Sequence, residues 1–175
     1  MHTVTALRER PRGRVDVDLD GALWRTLPAD VVVRVGLLVG RTLDRETART
    51  LARELRRSHA LARATRALRH RDLSRRALAE RLPGPASDEA LSTLERSGYL
   101  DDMRSASARA AGLAARGWGD AALRYRLEYE GFDGEVVNAA VAAVEPEPER
   151  ARALLSRGRT PRWLAARGFA VAPEE

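Results

Sequence analysis

Arg45, Arg49, Arg53 and Arg56 recur at i, i+4, i+8 and i+11, with Arg57 widening the row. On a helix that spacing gathers the side chains into one basic stripe. Arg63, Arg66 and Arg69 follow in the next segment, then Arg71, Arg75 and Arg76. A guanidinium keeps its proton and offers a planar fork that grips carboxylate or phosphate with paired hydrogen bonds, so this row holds anions and does not move protons. The candidate contact set is Arg49, Arg53, Arg56, Arg57, Arg63, Arg66, Arg69, Arg71, Arg75 and Arg76. Glu46 and Glu54 neutralise part of it. Two partners suit such a face, single-stranded nucleic acid or an acidic protein surface, and the stripe alone does not choose between them. Neutralising about five phosphates would give a slope near −3.5 for log affinity against log salt; contact with protein carboxylates would be less steep.

Other chemistry is sparse. Asp101-Asp102 is a carboxylate pair, but acids at a helix start cap free amides and complement the macrodipole, and no third ligand stands nearby. His2, His59 and His70 lack metal-ligand spacing, and cysteine is absent, which excludes disulfides, thiolate nucleophiles and cysteine-held metals. All 31 basic residues are arginine, so a phosphate-binding or Schiff-base lysine is excluded as well. No cofactor is expected. Trp118, Tyr125, Tyr129 and Phe132 could form a stacking surface for bases; because Trp118 occupies an apolar repeat position, core packing is the reading preferred here. Trp24 and Trp163 have no evident partners.

The chain has 175 residues, enough for one domain or a few small modules. Its formal net charge of +6 is uneven. Residues 1–43 carry +2, residues 44–82 carry +7, and the remainder a combined −3. Codon pressure favouring arginine acts on a whole chain, so it does not explain a concentration in one quarter. The start is charged where a secretory signal would be apolar, and the most apolar run, Val31 to Gly40, is broken by Arg34. A cytoplasmic, non-membrane protein is expected.

The elements that must carry these residues read as follows. Val15, Val17 and Leu19 alternate with Asp16, Asp18 and Asp20 before an Asp20-Gly21 hairpin signal, predicting a three-stranded meander over residues 4–27. A short helix behind Pro28 ends near Gly36. From Asp44 the period becomes 3.6, with Ala48, Leu51 and Leu55 on one helix and Leu61, Ala64 and Leu68 on a second. A third begins at the cap candidate Ser74 and ends before Pro83-Gly84-Pro85. Asp88 and Asp101 are predicted caps of the next two helices, and Thr160-Pro161 opens the last.

Helical triplets thus recur at a period of about 40 residues, in the range of repeat architectures. Arg71 to Leu82 aligns with Arg116 to Leu127, which sets Leu73 against Trp118 and Leu78 against Leu123. Gly131-Phe132 and Gly168-Phe169 end two triplets with a glycine suited to a left-handed cap. The expected organisation is a β-rich element with a short helix over 1–43, a basic three-helix repeat over 44–83, a second over 88–132 and a shortened third over 133–170. The expected fold is mainly α, with tandem three-helix repeats in an elongated curved array behind a small N-terminal β element.

The stretch Leu94-Glu-Arg-Ser-Gly98-Tyr99-Leu100-Asp101-Asp102, followed by Arg116-Gly117-Trp118-Gly119, resembles the RecX family of bacterial recombinase regulators. Ala67-Leu68-Arg69, Ser74-Arg75, the Gly-Phe ends and the Arg14 to Gly21 hairpin add to the resemblance. It implies helical repeats without catalytic activity, and a partner, the RecA recombinase filament, whose strand exchange, ATPase and co-protease functions such proteins restrain in homologous recombination, DNA repair and the SOS response. It also implies contact with single-stranded DNA in some members. A monomer is expected. The alternative is a stand-alone helical nucleic-acid-binding module using the basic 44–83 repeat.

Overall fold

A computed structural model describes residues 2–69, 71–82 and 84–170; His70 and Pro83, part of the predicted Pro-Gly-Pro break, lie outside the described residues. The protein is mainly helical with a small N-terminal sheet. It divides into two compact units, one formed by residues up to Arg66 together with Leu82–Ser92, the other by Ala67–Arg81 together with residues from Thr93 onward.

In the first unit, β1 (His2–Arg10), β2 (Arg14–Leu19), β3 (Ala22–Pro28) and β4 (Thr42–Leu43) form an antiparallel sheet in the order β3-β2-β1-β4. The meander forms as its alternation dictates; β4, two residues long, carries no sequence signal. Asp20 and Gly21 both have positive φ, 49° and 86°, as a two-residue hairpin loop requires. Val15, Val17, Leu19, Val4 and Leu27 pack one sheet face against Val31, Val32 and Val35 of α1 (Ala29–Val35), Leu37, and Leu51 of α2 (Arg45–Leu68). The opposite positions of β2 are not wet, contrary to what alternation suggests. Asp16 and Asp18 are buried, the first accepting from Arg10 Nε at 2.6 Å and the Thr26 hydroxyl at 2.6 Å, the second from Arg8 at 2.7 Å. Flanking strands cover these carboxylates and supply the donors that a buried acid needs.

Where the sequence predicts two helices between 44 and 68, the structure has one of 24 residues. Asp44 caps it as expected, accepting from Thr47 N at 2.7 Å. The apparent break is a change of phase. Thr47 and Leu51 are buried in the first half and Ala64 in the second, and at 100° per residue Ala64 lies about 140° around the helix from Leu51. The 44–83 segment therefore holds a long helix and α3 (Arg75–Glu80), not three helices.

The second unit contains α3, α5 (Asp102–Ala115), α6 (Asp120–Tyr129), α7 (Gly134–Ala142), α8 (Glu147–Ser156) and α9 (Pro161–Ala166); α4 (Ser87–Arg96) spans the division between the units. Asp101, Ser74 and Thr160 cap their helices as predicted. Asp88 does not: α4 already starts at Ser87, leaving Asp88 in its first turn. The core joins Ala106, Ala110 and Leu113 of α5 with Leu123 and Leu127 of α6, Phe132, and Val137, Ala140 and Val141 of α7. The alanines let neighbouring helices approach closely.

Two joints in this unit share one geometry. The end of α6 meets the start of α3, where the Ser74 hydroxyl donates to Glu130 O at 2.7 Å and Arg75 N donates to Asp102 at 2.8 Å. The end of α9 meets the start of α6, where Gly119 N donates to Arg167 O at 2.9 Å and Asp120 N donates to Glu147 at 2.7 Å. Ser74, Arg75 and Asp102 correspond to Gly119, Asp120 and Glu147, each pair 45 positions apart in the sequence. In both joints, carbonyls left over at one helix end accept from the beginning of another, and a carboxylate from a third helix takes a first-turn amide. Gly119 has no space for a side chain, since a Cβ there would lie 2.3 Å from the backbone of Gly168.

Candidate partner interface

Six of the ten arginines singled out by sequence, Arg49, Arg53, Arg56, Arg57, Arg63 and Arg66, lie on α2 within the first unit. Leu51 anchors this helix in the aliphatic core, which fixes the direction of its opposite side. Arg45, Arg49, Arg56 and Arg63 fall within about 40° of one another around the axis, with Arg53 and Arg66 to either side, and the row runs about 32 Å from Arg45 to Arg66. These residues are exposed. Arg53 leans toward Glu54 at 3.5 Å. Arg57 differs: it is largely covered, and pairs with Glu54 at 3.4 Å and Glu89 at 2.8 Å. It ties α2 to α4.

The other four candidates, Arg69, Arg71, Arg75 and Arg76, belong to the second unit. Arg69 and Arg71 are exposed. Arg75 pairs with Glu95 at 2.9 Å, and Arg76 donates to Glu128 O at 3.0 Å beside the Ser74 joint. These two hold structure together. Asp102, which takes the Arg75 amide, has its carboxyl pushed above the usual range because burial disfavours the charge, with Asp133 and Glu95 adding to the effect. That is the environment of a structural acceptor.

The second unit also has a cleft of about 1110 Å³ floored by Leu73, Ala77 and Phe132. Arg71, Arg81, Arg109 and Arg126 line it, together with Trp118, Tyr125 and Tyr129. Phe132 is core, as the packing reading expects. Tyr125 and Tyr129 are not: they are 70% and 82% exposed, with ring centroids 6.5 Å apart and planes 19° from parallel. The signal was there to read, because Leu123 and Leu127 take the buried side of α6, and residues two positions away lie about 160° around it. Arg109 is clamped on Glu130, with its Nε 2.9 and 3.0 Å from the two carboxylate oxygens.

Trp118 is flanked by Arg126, 4.0 Å from its ring centroid, and by Arg167 at 4.5 Å. Arg167 also lies 4.6 Å from Trp163, which Arg159 approaches at 4.8 Å. Guanidinium and indole thus alternate in a ladder of five groups. It gives Trp163 the partners that its sequence neighbourhood did not reveal. Arg150, almost fully buried, donates to Glu145 O at 2.8 Å and Trp118 O at 2.7 Å and pairs with Asp120.

No family model matches the sequence. Over 88 residues, half of this chain, it is 35% identical to a protein described as "Regulatory protein RecX" from Xanthomonas axonopodis pv. citri (strain 306), and equally to one so described from Xanthomonas citri. The match spans 54% of either relative, so the chain covers about half the length of the curated proteins it resembles. A solved structure titled "Crystal structure of regulatory protein RecX" superposes with a TM-score of 0.82 across 98% of this chain and 96% of that one, at 18% identity. The likeness of fold extends over nearly the whole chain, whereas the sequence likeness is confined to half of it. Its fold is the RecX fold, with a mostly helical body behind a small strand element. The described residues contain no cluster of side chains able to hold a metal ion, and no helix long and apolar enough to cross a membrane.

Proposed function

We propose that this chain is a RecX-type regulator, which binds the RecA recombinase filament and restrains strand exchange, ATP hydrolysis and co-protease activity, with no catalysis of its own, in the cytoplasm. The reading rests on the likeness to proteins named as regulators, joined to the exposed arginine row of α2. Such a protein works by preferring one state of its partner, since a ligand shifts an equilibrium only through differential affinity. A row about 32 Å long can touch more than one protomer of an assembly, and linked contacts add avidity.

The test is strand exchange and ATPase by the cognate recombinase with this protein added. The expected result is concentration-dependent inhibition, weakened roughly tenfold or more by reversing Arg53, Arg56, Arg63 and Arg66 to Glu, with circular dichroism unchanged. Full inhibition by the folded variant removes the α2 row from the mechanism.

A second reading, a nucleic-acid-binding module, is favoured by one observation: the exposed Tyr125–Tyr129 stack beside arginines resembles a base-stacking ledge. Titration of labelled single-stranded DNA with and without recombinase separates the two. Tight binding without recombinase supports the module.

A further inference from the structure

Leu123 and Leu127 commit one side of α6 to the core of the second unit. On the other side Ala122, Tyr125, Arg126 and Tyr129 fall within about 100° of one another around the axis, and all four line the cleft. The two phenol rings lie near-parallel and in solvent, so their stacking faces are uncovered. Arg126 completes this face. Its guanidinium lies 4.0 Å from the ring centroid of Trp118, and among the described residues it makes no hydrogen bond or ion pair. The indole takes the flat side of the group and leaves its five donors unspent. Arg167 lies 4.5 Å from the same ring. The fork of Arg126 is thus held by its neighbours and loses little freedom when it binds.

The remaining charges of the cleft decide what fits. Glu130 is spent on Arg109, at 2.9 and 3.0 Å. Asp72 and Glu80 reach the cleft from the α3 segment, where Arg71 and Arg81 accompany them. The α6 residues of the lining therefore offer a cation and two flat rings, and no acid. An acidic protein segment would use the cation and leave the rings bare. Single-stranded nucleic acid uses both, because every nucleotide brings a flat base and a phosphate, whereas a duplex keeps its bases inside the stack.

We infer that this face of α6 is a binding site for single-stranded nucleic acid, with bases stacked on Tyr125 and Tyr129 and a phosphate held by Arg126. The site rests on the nucleic-acid reading above and deepens it, placing the contact in the second unit and not on the arginine row of α2. The experiment uses the full chain and measures binding of a labelled oligothymidylate, binding of an abasic strand of the same length, and inhibition of recombinase ATPase. Expected is a loss of oligothymidylate affinity of about tenfold or more for Tyr125→Leu/Tyr129→Leu, recovered by Tyr125→Phe/Tyr129→Phe, which keeps the rings. Arg126→Gln is expected to make the slope of log affinity against log salt shallower by about 0.7. The abasic strand is expected to bind the wild-type chain about as weakly as oligothymidylate binds the Leu pair; this arm needs no variant, so it decides even where a substitution disturbs the fold. Undiminished binding by the Leu pair, or of the abasic strand, overturns the site; where reversing Arg53, Arg56, Arg63 and Arg66 to Glu then abolishes binding, the nucleic-acid reading survives on α2. A Leu pair that keeps its DNA affinity but loses ATPase inhibition assigns the face to a protein and also overturns the site. Failure of the wild-type chain to bind either strand removes the nucleic-acid reading itself, and the site with it.

Discussion

The α2 helix of the first unit and the helix joints of the second use the same residue in opposite ways. Along α2 in the first unit, arginines stand exposed in a row, Arg53 leaning on Glu54, while Arg57 is largely covered and paired with Glu54 and Glu89. In the second unit, arginines close carbonyls, carboxylates and indoles: Arg150 beneath Trp118 and Asp120, Arg109 on Glu130, and Arg126, Arg167 and Arg159 in the tryptophan ladder. A guanidinium has five donors and a flat face, so it can serve as mortar when a helix end or a ring is near, and as an exposed cation when none is. An arginine-rich composition is thus evidence about partners only for the arginines that the fold leaves outside.

The sharpest way to break this contrast is at the joint. Gly119→Val forces a Cβ against the Gly168 backbone and is expected to destabilise the second unit by about 3 kcal/mol or more, with hydrogen exchange of the β1–β3 amides in the first unit unchanged. Next comes the mortar: Arg150→Ala strands Asp120 and two carbonyls, for a loss of about 3 kcal/mol in chemical denaturation, whereas Arg49→Ala on α2 is expected to change stability by less than about 0.5 kcal/mol. Replacing Tyr125 and Tyr129 with Ser is expected to leave stability within about 0.5 kcal/mol; a larger loss by thermal melting would show that the exposed stack supports the unit.

The smallest effect separates the units by pH. In the first unit, Thr26 and Arg10 hold Asp16 below the ordinary carboxylate range, Thr3 and His2 do so for Asp20, and the Thr47 amide for Asp44. Their contribution is complete above the ordinary value of 3.8 and is lost as pH falls through the lowered values. Asp102 in the second unit runs the other way. Its raised value means that ionisation costs stability, so acidification toward 3.8 relieves that cost. Carboxyl carbon NMR titration is expected to place Asp16, Asp20 and Asp44 below 3.8 and Asp102 above it.

What the sequence disclosed follows the range of the forces involved. The hairpin at Asp20-Gly21, the caps at Asp44, Ser74, Asp101 and Thr160, and the Gly-Phe helix ends are settled within a few residues, and each forms as read. The 45-residue register that sets Leu73 against Trp118 also places Ser74 and Gly119 at matching joints. Continuity of α2 was hidden because its halves bury different sides, so the apolar pattern changes phase where the backbone does not. Buried Asp16 and Asp18 depend on donors from neighbouring strands, and Trp163 on Arg167 and Arg159 arriving over its ring. Those partners become apparent once the chain is folded. The exposed tyrosines, by contrast, were readable from the phase of Leu123 and Leu127.

The ladder has a spectroscopic consequence. Trp118 and Trp163 emit from between guanidinium groups in one unit, while Trp24 sits on an exposed strand of the other. Replacing Trp24 with Phe would leave an intrinsic fluorophore pair confined to the helical unit, so melting of that unit could be watched by itself without attaching a dye.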